Sequence, residues 1–296
     1  MTASIPNRVH RSGIALLQLV AGLVLVGLAW PTAWAGHGEL RAHTFFPLWL
    51  GYILIVDAST RLHSGTSLLA RLGRFAFVPF LLSIPIWWLF EAINARLNNW
   101  VYIVPHPYSW WRYHLEATLA FSTVLPAVFV TAELVASLTP DQINLRKVDP
   151  SPRTHVLIGL GGAVMIAATL IAPDVFFPLV WIGFFFVADW LASLWDAPHL
   201  SAPIRAGNWR PVLNLFAATL LCGFFWEMWN SRSLPKWTYV LPWGEWGHLF
   251  EMPLPGYGGY LPFGLELYAL SSLLDRASGS HLMRALRFDK EYAKCT

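Results

Sequence analysis

Long apolar runs alternate with short polar segments along the whole chain. Eight of these runs are close to the roughly 20 residues that a helix needs to cross a bilayer. The pattern therefore predicts an all-α, polytopic membrane protein with about eight transmembrane helices. The predicted helices cover 14–35, 45–62, 75–96, 114–138, 155–172, 175–195, 211–232 and 258–275.

The first apolar run allows two interpretations. It ends in Ala33-Trp34-Ala35, which resembles the cleavage site of a signal peptide. A retained first helix is favoured, because the run is longer than the apolar part of a typical signal peptide. A counterpart also recurs at 155–172, and both runs lead into Phe-Phe-Pro-Leu.

The order of features in the first half of the chain recurs in the second half. Phe45-Phe46-Pro47-Leu48 matches Phe176-Phe177-Pro178-Leu179, and Asp57 then corresponds to Asp189. This recurrence predicts an internal duplication of four helices per copy, with both copies in the same orientation. The predicted organisation is a first repeat at 1–138, a cytoplasmic linker at 139–153, a second repeat at 154–275 and a basic cytoplasmic tail at 276–296.

A second recurring pattern joins the end of an apolar helix to an aromatic loop. It reads Glu-x-x-Asn-x-Arg, followed shortly by Trp-x-Tyr. Residues three apart lie on one helix face, so the Glu and Asn should project together, with the Arg able to reach back to them. The two copies are Glu91, Asn94, Arg96, Trp100, Tyr102 and Glu227, Asn230, Arg232, Trp237, Tyr239.

Composition supports the membrane assignment and excludes other classes. The chain is 56% hydrophobic and 12% charged, whereas a soluble domain has roughly 25% charged residues. The net charge of +3 comes without a nucleic-acid-binding motif, so no nucleic acid partner is expected. Lys and Arg are concentrated in alternate loops, which predicts a bacterial cytoplasmic (inner) membrane protein with both termini cytoplasmic and the aromatic loops outside.

Acidic residues within apolar runs are costly and therefore mark candidate sites. A carboxyl group in a desolvated pocket is a plausible proton donor, and a neighbouring amide can hold a water molecule. The alternative is that these carboxylates only lock helices together, and this alternative is favoured for Asp57 and Asp189. The predicted catalytic residues are Glu227, Glu91, Asn230, Asn94, Glu266 and Glu251.

The dense aromatic residues near these acids suit a flat or cationic ligand. The predicted substrate-binding residues are Trp226, Trp229, Trp237, Tyr239, Trp88, Trp100, Tyr257 and Tyr260. The Gly/Pro-rich segment at 255–262 predicts a bent entry into the last helix. The two cysteines and ten histidines show no metal-ligand spacing, so neither a metal nor a cofactor is expected.

In architecture, the chain resembles the integral-membrane carotenoid enzymes, namely the small lycopene cyclases and the related carotenoid hydratases. The resemblance rests on Glu91 with Trp100-x-Tyr102, on Glu227 with Trp237-x-Tyr239, and on Pro262 followed by Glu266. It implies cofactor-free proton transfer to a membrane-dissolved isoprenoid. The paired Pro-x-Glu-Glu of the cyclases is missing, so their catalytic acid has no direct counterpart here.

Three functions are compatible with these features. The first is an enzyme that acts on an isoprenoid-like lipid through a carboxylic acid in a Trp/Tyr-lined pocket, such as a cyclase, hydratase or isomerase. The second is a proton-coupled transporter, indicated by the predicted duplicated bundle and the intramembrane acids. The third is a non-catalytic subunit of a membrane complex, with a membrane-protein partner or a second copy of the chain packed against its tryptophans.

Overall fold

The computed structural model describes residues 5–148 and 151–288, with side chains from Ser12 onward. The described part is mostly helical, which confirms the predicted all-α class. Its long helices are α1 (Ile5–Ala35), α2 (Phe45–Ser64), α3 (Val78–Leu97), α4 (Trp110–Phe121), α5 (Val124–Leu138), α6 (Pro152–Ile171), α7 (Val180–Leu194), α8 (Arg210–Asn230) and α9 (Tyr260–Ser278). Short helices lie at Glu39–Ala42, Leu68–Leu72, Pro173–Phe176, Ser201–Ala206 and Leu282–Ala285, and 3₁₀ turns at Gly73–Phe75, Phe177–Leu179 and Leu254–Gly259.

Two small antiparallel ribbons complete the described structure. Strand β1 (Trp100–Ile103) pairs with β2 (Lys236–Tyr239), and β3 (His248–Leu249) pairs with β4 (Met252–Pro253). The β1–β2 pair joins a loop of the first half of the chain to a loop of the second half. We call the end of the helix bundle that carries this pair the ribbon end.

Seven segments of the described chain are long and apolar enough to cross a membrane. They correspond to seven of the eight predicted helices. The eighth predicted helix, 258–275, is present as α9, but it is less apolar than the others. Helix α9 packs against both α7 and α8, and Glu266, Ser271 and Ser272 on it are buried in protein. Protein contacts take the place of lipid there, so the helix does not need a continuous apolar surface.

The predicted helix 114–138 is divided in the structure. It begins at Trp110 and breaks at Ser122–Thr123 into α4 and α5. Pro126 follows the break, and proline is tolerated in the first turn of a helix but not in its interior. The buried Ser83 hydroxyl of α3 bridges the break: it donates to the carbonyl of Phe121 (2.5 Å) and accepts from the Leu125 amide (3.0 Å). The break therefore leaves these backbone groups hydrogen-bonded inside the protein.

Two helix pairs pack through glycine. Helices α1 and α2 meet at Gly22 and Gly51, and α6 and α7 meet at Gly162 and Gly183. A Cβ atom added at any of the four would lie 2.7–2.9 Å from the carbonyl oxygen of the facing glycine. Small residues allow close backbone approach in membranes, where association depends on packing rather than on the hydrophobic effect.

Asp57 and Asp189 both hold the start of the short helix that follows their own helix. Asp57 accepts hydrogen bonds from the Ser67 hydroxyl (2.8 Å) and the Leu69 amide (3.0 Å). Asp189 accepts from the amides of Leu200 (2.6 Å) and Ser201 (3.3 Å). These contacts suit a structural role, and the duplication suggested by the matching positions stays a prediction.

The predicted linker and tail both contact the bundle at the end opposite the ribbon. In the linker, Leu145 donates its amide to the carbonyl of Gly207 (3.0 Å). In the tail, Leu286 and Phe288 are buried, and Arg210 donates to the carbonyl of Phe288 (3.2 Å). The predicted basic tail therefore packs against the helices as far as residue 288. Residues 289–296 lie outside the described residues.

Candidate functional site

The β1–β2 ribbon brings the two Trp-x-Tyr segments together. Trp100 lies opposite Tyr239, and Tyr102 lies opposite Trp237, so each segment pairs with the other in reverse order. Residues two apart on a strand point to the same face. All four rings line one cavity beneath the ribbon. A sequence motif seen twice therefore contributes both of its aromatic pairs to a single site.

Asn94 and Asn230 fix the ribbon to the ends of α3 and α8. Each amide uses both of its ends on backbone groups of the following loop. Asn94 donates to the carbonyl of Trp100 (2.8 Å) and accepts from the Asn99 amide (2.9 Å). Asn230 donates to the carbonyl of Trp237 (2.8 Å) and accepts from the amide of the same residue (2.9 Å). These contacts give both asparagines a positioning role, whereas the sequence had suggested catalytic residues.

Glu91 lies directly beneath the first aromatic pair and is partly buried. Its Oε1 atom accepts hydrogen bonds from Tyr102 Oη (2.6 Å), Trp87 Nε1 (3.0 Å) and Trp100 Nε1 (3.1 Å). Three protein donors thus converge on one oxygen. The first copy of the motif holds a carboxyl group that is well supplied with hydrogen-bond donors behind its aromatic rings.

Glu227 lies beneath the second pair and is completely buried. Its Oε1 atom accepts from Tyr239 Oη (2.6 Å) and Tyr260 Oη (2.8 Å), while Trp237 Nε1 donates to Tyr239 Oη (2.9 Å). The Oε2 atom makes no hydrogen bond within the described structure. Glu227 therefore has fewer donors than Glu91, in a drier place, and one oxygen that is able to carry a proton.

The tyrosines of the ribbon are hydrogen-bond donors to the two glutamates. Burial, together with the adjacent carboxylate, raises the pKa of Tyr102 well above its usual value, and the same causes raise the pKa of Tyr239. Both phenols therefore stay protonated at neutral pH and donate to Glu91 and Glu227.

The arginines of the motif do not reach back as predicted: Arg96 donates to the carbonyl of Leu170 (3.0 Å), and the Arg232 guanidinium lies over the Trp34 ring.

The cavity beneath the ribbon has a volume of about 270 Å³, close to the lower end for small-molecule sites. Neither Glu91 nor Glu227 is part of its wall, so the carboxylates lie behind the tyrosine and tryptophan rings. Gly256 and Gly259 of the bent entry into α9 also line it, as do a few polar residues. The aromatic wall is formed by Phe45, Trp87, Trp100, Tyr102, Tyr108, Tyr113, Phe121, Phe177, Trp181, Trp226, Trp237, Tyr239, Tyr260 and Phe263.

Five of the eight predicted substrate-binding residues line this cavity, namely Trp226, Trp237, Tyr239, Trp100 and Tyr260. The other three do not. Trp88 stacks on His114, Trp229 packs edge-on against Trp30 and Trp49, and Tyr257 donates to the carbonyl of Leu249 (3.1 Å).

The two remaining predicted acids, Glu251 and Glu266, make no hydrogen bond that connects them to Glu91 or Glu227. Glu251 forms an ion pair with Lys236 (2.7 Å), which itself lines the cavity. Glu266 is completely buried in α9, and neither of its oxygens has a hydrogen-bond partner within the described residues. Among these residues, no group of three or more His, Cys, Asp or Glu could hold a metal ion.

Several wall residues escaped the sequence-based selection. Trp87 and Trp181 lie inside apolar runs, where aromatic residues are common, and no local signal separates wall from core. Tyr102 could have been found, because it belongs to the repeated Trp-x-Tyr and matches Tyr239.

Comparison with protein-family models, with curated proteins and with solved structures gave no match to this chain.

Proposed function

We propose that this membrane protein is an enzyme that binds an unsaturated, isoprenoid-like lipid in the aromatic cavity and moves protons to and from it. The observation that carries the proposal is the arrangement of the two glutamates. Each lies behind a cavity wall and is hydrogen-bonded to a tyrosine that forms part of that wall. Such a wall suits an apolar ligand, and the tyrosines connect the ligand to the acids.

The unlike surroundings of the two acids support different roles. Two carboxyl groups in unlike environments commonly divide the work of acid and base. Glu227, fully buried with an unpartnered oxygen, is the proposed acid. Glu91, with three donors on one oxygen, is the proposed base.

The proposed reaction uses the tyrosines as relays. The carboxyl group of Glu227 rotates to bring its proton to Tyr239 or Tyr260, and that phenol passes its own proton to a carbon of the double bond in the same step, so no phenolate accumulates. The surrounding rings stabilise the carbocation through their negative faces. Tyr102 then removes a proton from an adjacent carbon while its own hydroxyl proton passes to Glu91. The net reaction moves or redistributes a double bond, as in an isomerisation or cyclisation, without a change in oxidation state.

The test is to block the cavity and examine what the protein carries. Purified protein in mild detergent would be extracted with organic solvent and the extract examined by mass spectrometry. An enriched lipid should accompany the natural protein and be lost from Ala120→Trp, which fills the cavity from α4. Ala167→Trp, on the exposed face of α6, is the matched control and should retain the lipid. Only bulk phospholipid in every sample would reject the proposal.

A proton-coupled transporter is the second candidate, and Glu266 is the observation that favours it. Unpaired acids inside membrane proteins commonly mark proton paths. Glu266 is completely buried and unpartnered in α9, three residues beyond the cavity-lining Phe263. The test is the uptake of a solute into vesicles, driven by a pH gradient. If Glu266→Gln abolished this uptake and left the set of bound lipids unchanged, transport would be favoured over catalysis.

A further inference from the structure

The cavity wall contains two polar atoms that are buried and have no hydrogen-bond partner. They are Nδ2 of Asn99 and Oη of Tyr108, and both residues line the cavity. Only 5% of Asn99 is exposed, although the residue lies in a loop. Buried polar atoms are nearly always hydrogen-bonded in folded proteins, so each exception calls for a reason. Both atoms are shielded from solvent, so a ligand in this cavity would supply the missing partner after a small rotation of the side chain that carries the atom.

The position of Asn99 is fixed independently of its side-chain amide. Its backbone amide donates to Asn94 Oδ1 (2.9 Å), and its carbonyl accepts from the amide of Val240 (2.9 Å). These two bonds tie Asn99 to the end of α3 and to the residue that follows β2. The side-chain Nδ2 group is therefore presented by a rigid backbone, which is what a recognition group requires.

Tyr108 is likewise oriented by its ring and not by its hydroxyl. The guanidinium of Arg112 lies 4.2 Å from the centre of the ring, and His106 packs edge-on against it. Arg112 is itself held by ion pairs to Glu39 and Glu116. The Tyr108 hydroxyl lies beside the Arg112 side chain but makes no bond of hydrogen-bonding geometry with it, so it can donate to, or accept from, a ligand.

We infer that the cavity recognises a lipid with a neutral oxygen acceptor, such as the carbonyl of an isoprenoid ketone or quinone, and not a pure hydrocarbon. The amide Nδ2 is a donor only, so its partner must accept. An anionic group is disfavoured because Lys236, the cation in the cavity wall, is already paired with Glu251. This inference rests on the proposed function, since it names the class of lipid that the same cavity would take.

The experiment compares two ligands that differ only in the acceptor. The probes are geranylacetone and its methylene analogue, in which a =CH₂ group replaces the carbonyl oxygen. Binding to the purified full-length protein would be followed by the change in intrinsic tryptophan fluorescence. The ratio of the two affinities is the readout, and comparing ratios between proteins cancels the unequal partitioning of the probes into detergent.

Asn99→Leu should lower the ketone-to-hydrocarbon ratio about tenfold, because a site that donates a hydrogen bond discriminates against analogues that cannot accept it. Asn214→Leu is the matched control. Asn214 is also buried with an unpartnered Nδ2 atom, but it lies outside the cavity wall, so the ratio should not change. Tyr108→Phe removes a single oxygen and provides a second test if Asn99→Leu does not fold; it should also lower the ratio.

The outcomes separate the inference from the proposed function. If both probes bind and the ratio is the same in the natural protein, Asn99→Leu and Tyr108→Phe, the oxygen acceptor is wrong but the lipid cavity stands. If Asn99→Leu weakens both probes equally, Asn99 has a structural role only and the inference fails. If neither probe binds to the natural protein and Ala120→Trp changes nothing, the proposed lipid site fails, and the inference fails with it.

Discussion

The surroundings of Glu91 and Glu227 show how two copies of one motif come to differ. Both glutamates lie at the ribbon end, each one turn before an asparagine that holds the ribbon, and each accepts a short hydrogen bond from the tyrosine of its own loop. Glu91 is partly exposed and receives two further indole donors. Glu227 is completely buried and receives a second phenol from α9. The motif sets the position of each acid, but the further donors differ: they come from its own helix and loop for Glu91 and from α9 for Glu227.

The largest expected effect comes from replacing the two acids separately. Glu227→Gln should reduce conversion of the bound lipid about 100-fold or more, and Glu91→Gln roughly tenfold, since general acid–base groups typically contribute 10²–10⁴ and water can partly replace the more exposed base. The measurement is the ratio of substrate to product in the extract of each purified variant. A larger loss for Glu91→Gln would exchange the assigned roles.

The glycine contacts allow the two halves of the chain to be compared in stability, because each half has one helix pair that packs through glycine. Gly22→Leu and Gly162→Leu should each destabilise the protein by about 1–3 kcal/mol, because a side chain there forces the paired helices apart. Gly27→Leu and Gly161→Leu lie on the same helices with open space around them and serve as controls. Thermal unfolding in detergent measures all four. Equal melting temperatures for a variant and its control would rule out close packing as the reason for the glycine.

The asparagines should show a smaller and nearly symmetrical effect. Asn94→Ala and Asn230→Ala each remove hydrogen bonds to loop backbone, at a cost of about 1–2 kcal/mol. Hydrogen exchange of the ribbon amides is the direct measurement, and only the ribbon should lose protection. If lipid conversion fell while the ribbon amides kept their protection from hydrogen exchange, the asparagines would have a catalytic role and not a positioning role.

The smallest expected effect on stability at neutral pH concerns the ribbon tyrosines. Their pKa values are raised above the usual value near 10, so the folded state holds these protons more tightly than the unfolded state. The stabilisation is therefore fully present below about pH 10 and is lost as the pH rises through the higher folded values. The Tyr102→Phe and Tyr239→Phe variants should show a weaker loss of stability above pH 10 than the natural protein. An unchanged alkaline transition in both variants would contradict this prediction.

Part of the site was accessible from local patterns. The spacing Glu-x-x-Asn and the following Trp-x-Tyr selected Glu91, Glu227 and the loops that meet in the ribbon. The pairing of these loops was not accessible, because strands four residues long carry no signal for a partner more than 130 residues away. The same limit explains why Trp88 and Trp229 were selected although they face away from the cavity. When a membrane helix is apolar on all sides, its sequence does not show which of its residues face the cavity.

The amino-acid sequence alone was sufficient to predict an all-α membrane protein. A helix that crosses the hydrocarbon layer must be long and apolar, and the apolar runs of this chain meet that requirement. It also singled out the acids as candidates, because a carboxyl group in such a run stands out by its cost. Only the folded chain revealed that the asparagines hold backbone, that tyrosines stand between the acids and the cavity, and that Asn99 presents an unpartnered amide there. These features depend on contacts between segments far apart in the chain, and no local pattern encodes such distances.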